Sequence, residues 1–596
     1  MPNPNITYQG QTLVLPGVYY ADNVSAVPAS PSQTSVPLLF IAAGYGGKPQ
    51  TPYSVFDSQS LYSLLRGSPA ASFVQFLYNG SNQLNGAQQI IYVNVSPSTQ
   101  SNAVINDSAG DPVVDMTSAD YGSPSNLLQY SIASGAVAGI NLTLYDAYSK
   151  QSQVGNNLGV PFALAYAGTA TSGVSYTVQV ASGVATNFVV TSPNAGESFN
   201  LQLGPSTYPD AQSVLNFLVG TGFYTGYIIS ESSLPSTSLD AATSVTLPPP
   251  TIVSGLSEYS YVDVTAVLGD IVYWVNTFSQ LATATVASGV TSSGSMTFNT
   301  VSNVFFTGAT NGSPVLSDYE TALNNSLTTQ VGVVFCDTNL LGVPNAADEN
   351  VVTASQVANG NPRRFVTGSS LGTTVAQAAQ ASRGLNSIQT TYVYPGFYQN
   401  SNLTGQKTLY SGLYGAAAIA GMMAGNSPWI ALTNKSINAI SMEATLSTPD
   451  INTLQQAGVL PLAISTVTKV PIVVSDMTTW QNDSNPENMF NQQVAERQAL
   501  ERAVITGLQP YTGTSVAASP KVTGMVTNAV KRILNQNTYT DTHGGLISSW
   551  DPASLIIQYT GATQSWYVQV NVVLVGQARF ITFMTNIQPL NITLAG

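Results

Sequence analysis

Few residues in this chain have the types and spacing for chemistry. The run Gly368-Ser-Ser-Leu-Gly372 fits the G-x-S-x-G pattern, in which a serine, here Ser370, is presented on a strand-to-helix turn as an acyl-transfer nucleophile. Such a serine needs a later acid and a later histidine as base, and Asp450 and His543 follow in a permissible order. His543 is the only histidine, however, and Thr542-His-Gly-Gly reads as a surface turn. A pattern with three defined positions also arises readily by chance in a chain rich in Gly and Ser, so hydrolase activity is not expected. The single cysteine, Cys336, excludes an intramolecular disulfide, and no spaced Cys/His set offers a metal site. Acidic residues are scattered and never gather as an acid/base pair. Gly44-Tyr-Gly-Gly47 lacks both the Gly-Lys-Ser/Thr ending of a phosphate loop and the dinucleotide fingerprint, and reads as a strand-to-loop turn. The chain is expected to be a non-enzyme with no cofactor.

The elements around these residues speak of assembly instead. Near the C-terminus, Val568, Val570 and Val572 alternate with Gln569 and Asn571, the period-2 pattern of a strand with one buried face. After Pro589, Leu590, Ile592 and Leu594 alternate with Asn591 and Thr593 in a short strand that closes the sequence. At the other end, Ile6–Gly10 and the run through Leu13, Val14 and Leu15 are strand-like pieces outside any domain, followed by Pro16-Gly-Val-Tyr-Tyr20 with Tyr19. Unpaired strand groups are a liability unless they pair in their own sheet or are lent to another molecule. Adhesive ends of this kind suggest a polymer.

Composition agrees. Only 7% of the 596 residues are charged, against roughly 25% in ordinary soluble domains, while 44% are hydrophobic. Polarity comes from Ser, Thr, Asn, Gln and Tyr, which are far cheaper to bury against a neighbour than ions are. A net charge of −13 argues against a nucleic-acid partner, which needs clustered Lys and Arg. No charged leader followed by an apolar core opens the chain and no window of about 18 apolar residues occurs, so membrane insertion is not expected and a cytoplasmic origin is.

Along the chain, residues 1–30 read as an arm and linker and 31–100 as a small α/β domain. Its apolar strand Pro37–Ala43 precedes a helix capped by Asp57, a second helix over Ala70–Tyr78 and the strand Ile90–Val95. Residues 101–320 read as inserted β-rich outer domains, with short strands such as Leu142-Thr-Leu-Tyr and Tyr176-Thr-Val-Gln-Val, a helix over Val264–Leu281, and an exposed small-residue loop at Ser288–Thr300. Residues 321–440 return to α/β character, with helices over Ala346–Asn359 and Val375–Arg383 and a small-residue packing helix over Tyr410–Ala424. Residues 441–596 hold a helix capped by Asn485 and ended by Gly507 that carries Glu496, Arg497, Glu501 and Arg502. Those charges read either as a solvated face with helical salt bridges or as a contact to a neighbouring subunit.

In their order, these motifs resemble the tail sheath proteins of contractile-tailed bacteriophages and related contractile injection systems. The carriers are Pro16-Gly-Val-Tyr-Tyr20; Ile41-Ala-Ala-Gly-Tyr-Gly-Gly-Lys-Pro leading to Asp57 and Leu61-Tyr-Ser-Leu-Leu-Arg-Gly67; Gly86-Ala-Gln-Gln-Ile-Ile-Tyr-Val; Ala416-Ala-Ala-Ile-Ala-Gly-Met-Met-Ala-Gly425; Val494-Ala-Glu-Arg; and the closing strands. The resemblance implies an α/β plus β multidomain fold: a discontinuous α/β core, in part a subtilisin-like layer without protease residues, with β-rich insertions facing outwards and extended terminal arms. It implies a structural subunit that stacks as six-subunit rings around a tail tube and contracts, with baseplate and tail terminator proteins as further partners, in a virion assembled in the host cytoplasm. It also implies terminal arms that complete small sheets in neighbouring subunits. The rival class is a secreted surface-layer or adhesin protein, which low charge and Asn-x-Thr triplets such as Asn141-Leu-Thr would also fit.

Overall fold

The structure, a computed structural model of the chain, describes residues 6–8, 11–13, 35–356, 358–512, 520–540, 544–560 and 565–576. The central sheet has eight strands, of which the inner ones are buried on both faces and the edge strand Pro52–Val55 is largely exposed. In chain order these are β1 (Leu38–Ala42), β2 (Pro52–Val55), β3 (Ile90–Asn94), β4 (Val333–Cys336), β5 (Arg364–Gly368), β6 (Thr390–Tyr394), β7 (Val459–Ile464) and β8 (Pro471–Val473). They form one eight-stranded sheet in the order β8-β7-β6-β5-β4-β1-β3-β2, whose inner strands run parallel while β8 and β2 close the two edges antiparallel. The β1–β4 pairing, Leu38 opposite Val333, joins sequence on either side of a long insertion.

Alternation sends Leu38, Phe40 and Tyr92 to one face with Phe335, Val366 and Val393, and Leu39, Ile41 and Val93 to the other with Val334 and Phe365. Both faces are covered by helices, which is why these strands carry no polar stripe. The first face receives Gly412–Gly425, a helix buried on nearly every side. Its small residues let backbones touch: a Cβ on Gly421 would lie 2.2 Å from the Leu77 carbonyl oxygen, and one on Gly425 1.8 Å from that of Gly86. The second face receives the helices Leu316–Asn325 and Val343–Ala354.

The insertion is two nested β-rich modules. The outer one packs a three-stranded sheet (Gln100–Asn106, Pro112–Tyr121, Ala282–Val286) and a four-stranded sheet (Leu128–Ser134, Ile140–Asp146, Gln151–Leu158, Val301–Phe305) with the helix Val267–Phe278 around Ile105, Met116, Leu142, Trp274 and Phe306. The inner one, between Phe162 and Val264, has its own four- and three-stranded sheets, a helix Ala211–Gly220, and a separate core around Phe162, Tyr176, Phe188 and Leu215. Every sheet among the described residues is open, and none closes into a barrel.

Several element boundaries differ from the sequence expectation. The turn Pro69–Phe73 is 3₁₀ before the helix Val74–Asn79 begins, in keeping with a proline at its first position. The helix expected from Ala346 starts at Val343, with Pro344 in its first turn, and stops at Ala354. The loop Ser288–Thr300 is not wholly exposed, because Met296 and Phe298 pack partly on the outer-module core. The helix capped by Asn485 lasts one turn, Pro486–Met489; Phe490 is extended (φ −113°, ψ 127°), and a second helix runs Asn491–Leu508.

Candidate functional site

Ser370 follows β5 in a loop before the helix Val375–Leu385. Its hydroxyl meets the Asn339 side-chain amide at 3.3 Å, which is a donor and cannot act as a base. Asp450 is engaged elsewhere: its carboxylate accepts from the Ser447 hydroxyl (2.6 Å) and backbone N–H (3.0 Å), which lower its pKa and cap the helix Thr448–Gln456. His543 lies outside the described residues. No group of three His, Cys, Asp or Glu side chains that could hold a metal occurs among the described residues, and none of their helices is long and apolar enough to cross a membrane. Cys336 is buried, and burial pushes its thiol far up.

The charged helix Asn491–Leu508 corrects the expectation of a solvated face. Glu496 is fully buried, Glu501 is buried, and Arg497 and Arg502 are half-buried. The helix is seated between the α/β core and the helix Pro520–Gln536, so its polar side chains are held by the core. Gln498 Nε2 donates to the Arg363 carbonyl (3.1 Å), Arg502 Nη1 to the Pro362 carbonyl (2.7 Å), and Gln492 Nε2 to the Trp429 carbonyl (3.1 Å) and Glu496 Oε1 (2.9 Å). Thr391 Oγ1 donates to Asn491 Oδ1 at 2.7 Å. Desolvation pushes the Glu496 carboxyl well above the usual range and lowers the Arg502 guanidinium to about 10.

Beyond this helix lies a long two-stranded hairpin, Ile547–Thr560 with Ser565–Leu574. Val568, Val570 and Val572 are half-buried and point with Trp550, Ile557 and Trp566 towards Ala499, Leu500, Val530 and Ile533, whereas Tyr567, Gln569, Asn571 and Val573 are exposed. What the hairpin offers outward is therefore largely backbone: among the described residues the outer edge of Ser565–Leu574 has no strand partner, and that of Ile547–Thr560 meets only a bridge from Thr538 to Ile547. At the N-terminus, Ile6–Tyr8 and Gln11–Leu13 pair with each other, Ile6 opposite Leu13. Val14, Leu15, Tyr19, Leu590 and Ile592 lie outside the described residues.

One site was not legible from the sequence motifs. Arg66, in left-handed conformation just after the helix Ser58–Leu65, reaches out of the core to the outer inserted module, where its guanidinium meets Asp120 (2.6 Å) and Asp146 (2.9 Å) and lies over the Tyr148 ring (5.1 Å). Both ion pairs sit at the junction of core and insertion.

No protein-family model matches the chain. Among curated proteins it is similar to a tail sheath protein of Bacillus phage SP01, 23% identical over 470 residues that cover 77% of this chain and 76% of that protein. It is also similar to a putative tail sheath protein of Enterococcus phage phiEF24C, 23% identical over 78% of this chain and 79% of that one. Among solved structures, the sheath tail protein of Listeria innocua shares its fold, with a TM-score of 0.56 at 10% identity over 92% of this chain and 94% of that one. The resemblance carried by the motifs is thus found again in sequence and in fold, and over about three quarters of its length the chain is similar to phage tail sheath proteins.

Proposed function

We propose that the chain is the structural subunit of a contractile tail sheath. The observation that carries this reading is the similarity to phage tail sheath proteins across some three quarters of the chain. In this reading the subunits stack as six-membered rings around a tail tube, meet baseplate and tail terminator proteins at the two ends, and contract from a metastable extended lattice to a more stable one, with energy stored in assembly rather than taken from nucleotide. The sheet built from both sides of the insertion is the core near the tube, in part a subtilisin-like layer, and the inserted β-modules between residues 101 and 320 face outwards.

The open-edged hairpin supports strand exchange between subunits, because unpaired edges are where an extended arm adds by β-augmentation. The arms would be residues 1–15, with Leu13, Val14 and Leu15, and residues 590–596, with Leu590 and Ile592, while Tyr19 lies in the linker. Deleting either arm should leave thermal unfolding of the subunit unchanged and abolish cylinders seen by microscopy. Unfolded deletants, or normal cylinders from both, would refute the exchange. The engagement of Asp450 by Ser447 and of Ser370 by an amide supports a non-enzymatic role. An esterase rate well above background that vanishes in Ser370→Ala would overturn that role.

A further inference from the structure

Charge is segregated along this chain. Residues 151–362 contain twelve acidic residues and no Lys, Arg or His, and so carry −12 of the net −13. The rest of the chain holds all 15 basic residues against the other 16 of the 28 acidic ones. Within the anionic segment, Asp270 and Asp337 are spent inside the fold, but Glu320 and Glu349 are exposed, with Asp318 and Asp348 half-buried beside them. These four lie on the helices Leu316–Asn325 and Val343–Ala354, which Asn350 ties together by donating to the Leu323 carbonyl at 2.7 Å. Glu320 and Glu349 are thus exposed on two helices packed side by side.

The exposed basic side chains Lys48, Lys150, Arg383, Lys407 and Lys469 stand singly along the chain. Arg66 is in ion pairs and Arg363 and Arg364 are buried. Lys531 and Arg532 are the one adjacent pair of exposed basic side chains among the described residues. They stand on the helix Pro520–Gln536, which has no acidic residue and whose other side, with Val526, Val530, Ile533 and Leu534, is buried. None of Glu320, Glu349, Lys531 and Arg532 makes an ion pair among the described residues.

We propose that the Lys531–Arg532 face of one copy docks on the Glu320/Glu349 surface of the next copy in the polymer. The inference rests on the sheath reading and adds which faces meet. Two different surfaces on one chain make a heterologous contact, which repeats head to tail and generates an open helical array instead of a closed two-fold dimer. Exposed ion pairs are individually weak and screened by salt, so this contact sets register and orientation at every subunit more than it sets affinity.

The test is polymerisation of the full chain, read by light scattering and sedimentation at low salt, with circular dichroism to show that each variant is folded. Lys531→Glu with Arg532→Glu, and separately Glu320→Lys with Glu349→Lys, should each raise the concentration needed for polymerisation by about tenfold, because like charges now face each other. The four-site charge swap should restore wild-type polymerisation. Wild-type behaviour of either reversed pair overturns the contact. So does a swap that rescues nothing, which would mean that Lys531 and Arg532 face a different acidic protein. A wild-type chain that forms no polymer overturns both this contact and the sheath reading, whereas normal wild-type polymer with indifferent variants overturns the contact alone.

Discussion

Replacing Arg66 by methionine removes the cation at the junction of core and insertion while keeping its apolar stem. The Arg66 side chain is 12% exposed, Asp146 3% and Asp120 29%. Taking one partner from a buried ion pair costs roughly 3–5 kcal/mol, because the remaining charge is left buried and uncompensated. Water reaches Asp120, which also accepts from the Gly47 N–H (2.7 Å), and Asp146 also accepts from the Tyr148 N–H (3.0 Å) and the Ser149 hydroxyl (2.7 Å). The expected loss is therefore smaller, about 2–3 kcal/mol. It should fall on the attachment of the insertion rather than on either core, so limited proteolysis near residues 96–100 should accelerate before the main urea transition moves. A double-mutant cycle with Asp146→Asn isolates the pair, with a coupling of about 1.5 kcal/mol expected. Coupling near zero, or unchanged proteolysis in Arg66→Met, would refute the argument that this guanidinium holds the insertion in place.

Burial holds the Asp270 carboxyl up to about 6, against the hydrogen bonds from Ser230 and the Gly159 N–H that lower it. Its folded pKa is above its unfolded one, so the native state binds the extra proton and stability is lost as pH rises from about 4 through about 6, on the order of 2–3 kcal/mol. Asp337, also pushed up to about 6, adds a similar slope, and Asp270→Asn should remove about half of the total in urea titrations, an unchanged slope contradicting the assignment. Gly421→Ala places a methyl against the Leu77 backbone and should cost about 1–3 kcal/mol. Gly524→Ala, with nothing within 4 Å, should instead stabilise its helix by about 0.5–1 kcal/mol, and equal effects in thermal unfolding would refute the packing account.

The sequence was legible where one local rule decided the outcome. Leu38–Ala42 and residues 90–93 are aliphatic or aromatic at every position because both faces of a parallel sheet are covered, and Gly412–Gly425 is small at the positions where Leu77 and Gly86 press on its backbone. Val568, Val570 and Val572 alternate because one face of their hairpin packs on helices. It was not legible where partners lie far apart in sequence. Glu496 looks like a surface charge, yet it is fully buried on a helix that Gln492 and Gln498 tie to Trp429 and Arg363, and Arg66 meets carboxylates 54 and 80 positions away. Phe490 broke a helix whose capping signal was correct, because Asn491 must turn inward to accept from Thr391. At the Ser370 motif the pattern was present, but the surroundings supply an amide where a base would have to stand.

The central claim, that this chain builds a contractile sheath, is tested most directly by electron microscopy of purified assemblies before and after a destabilising trigger such as mild urea. The account predicts hollow cylinders that become shorter and wider. Flat sheets, closed small oligomers, or cylinders whose dimensions never change would contradict it.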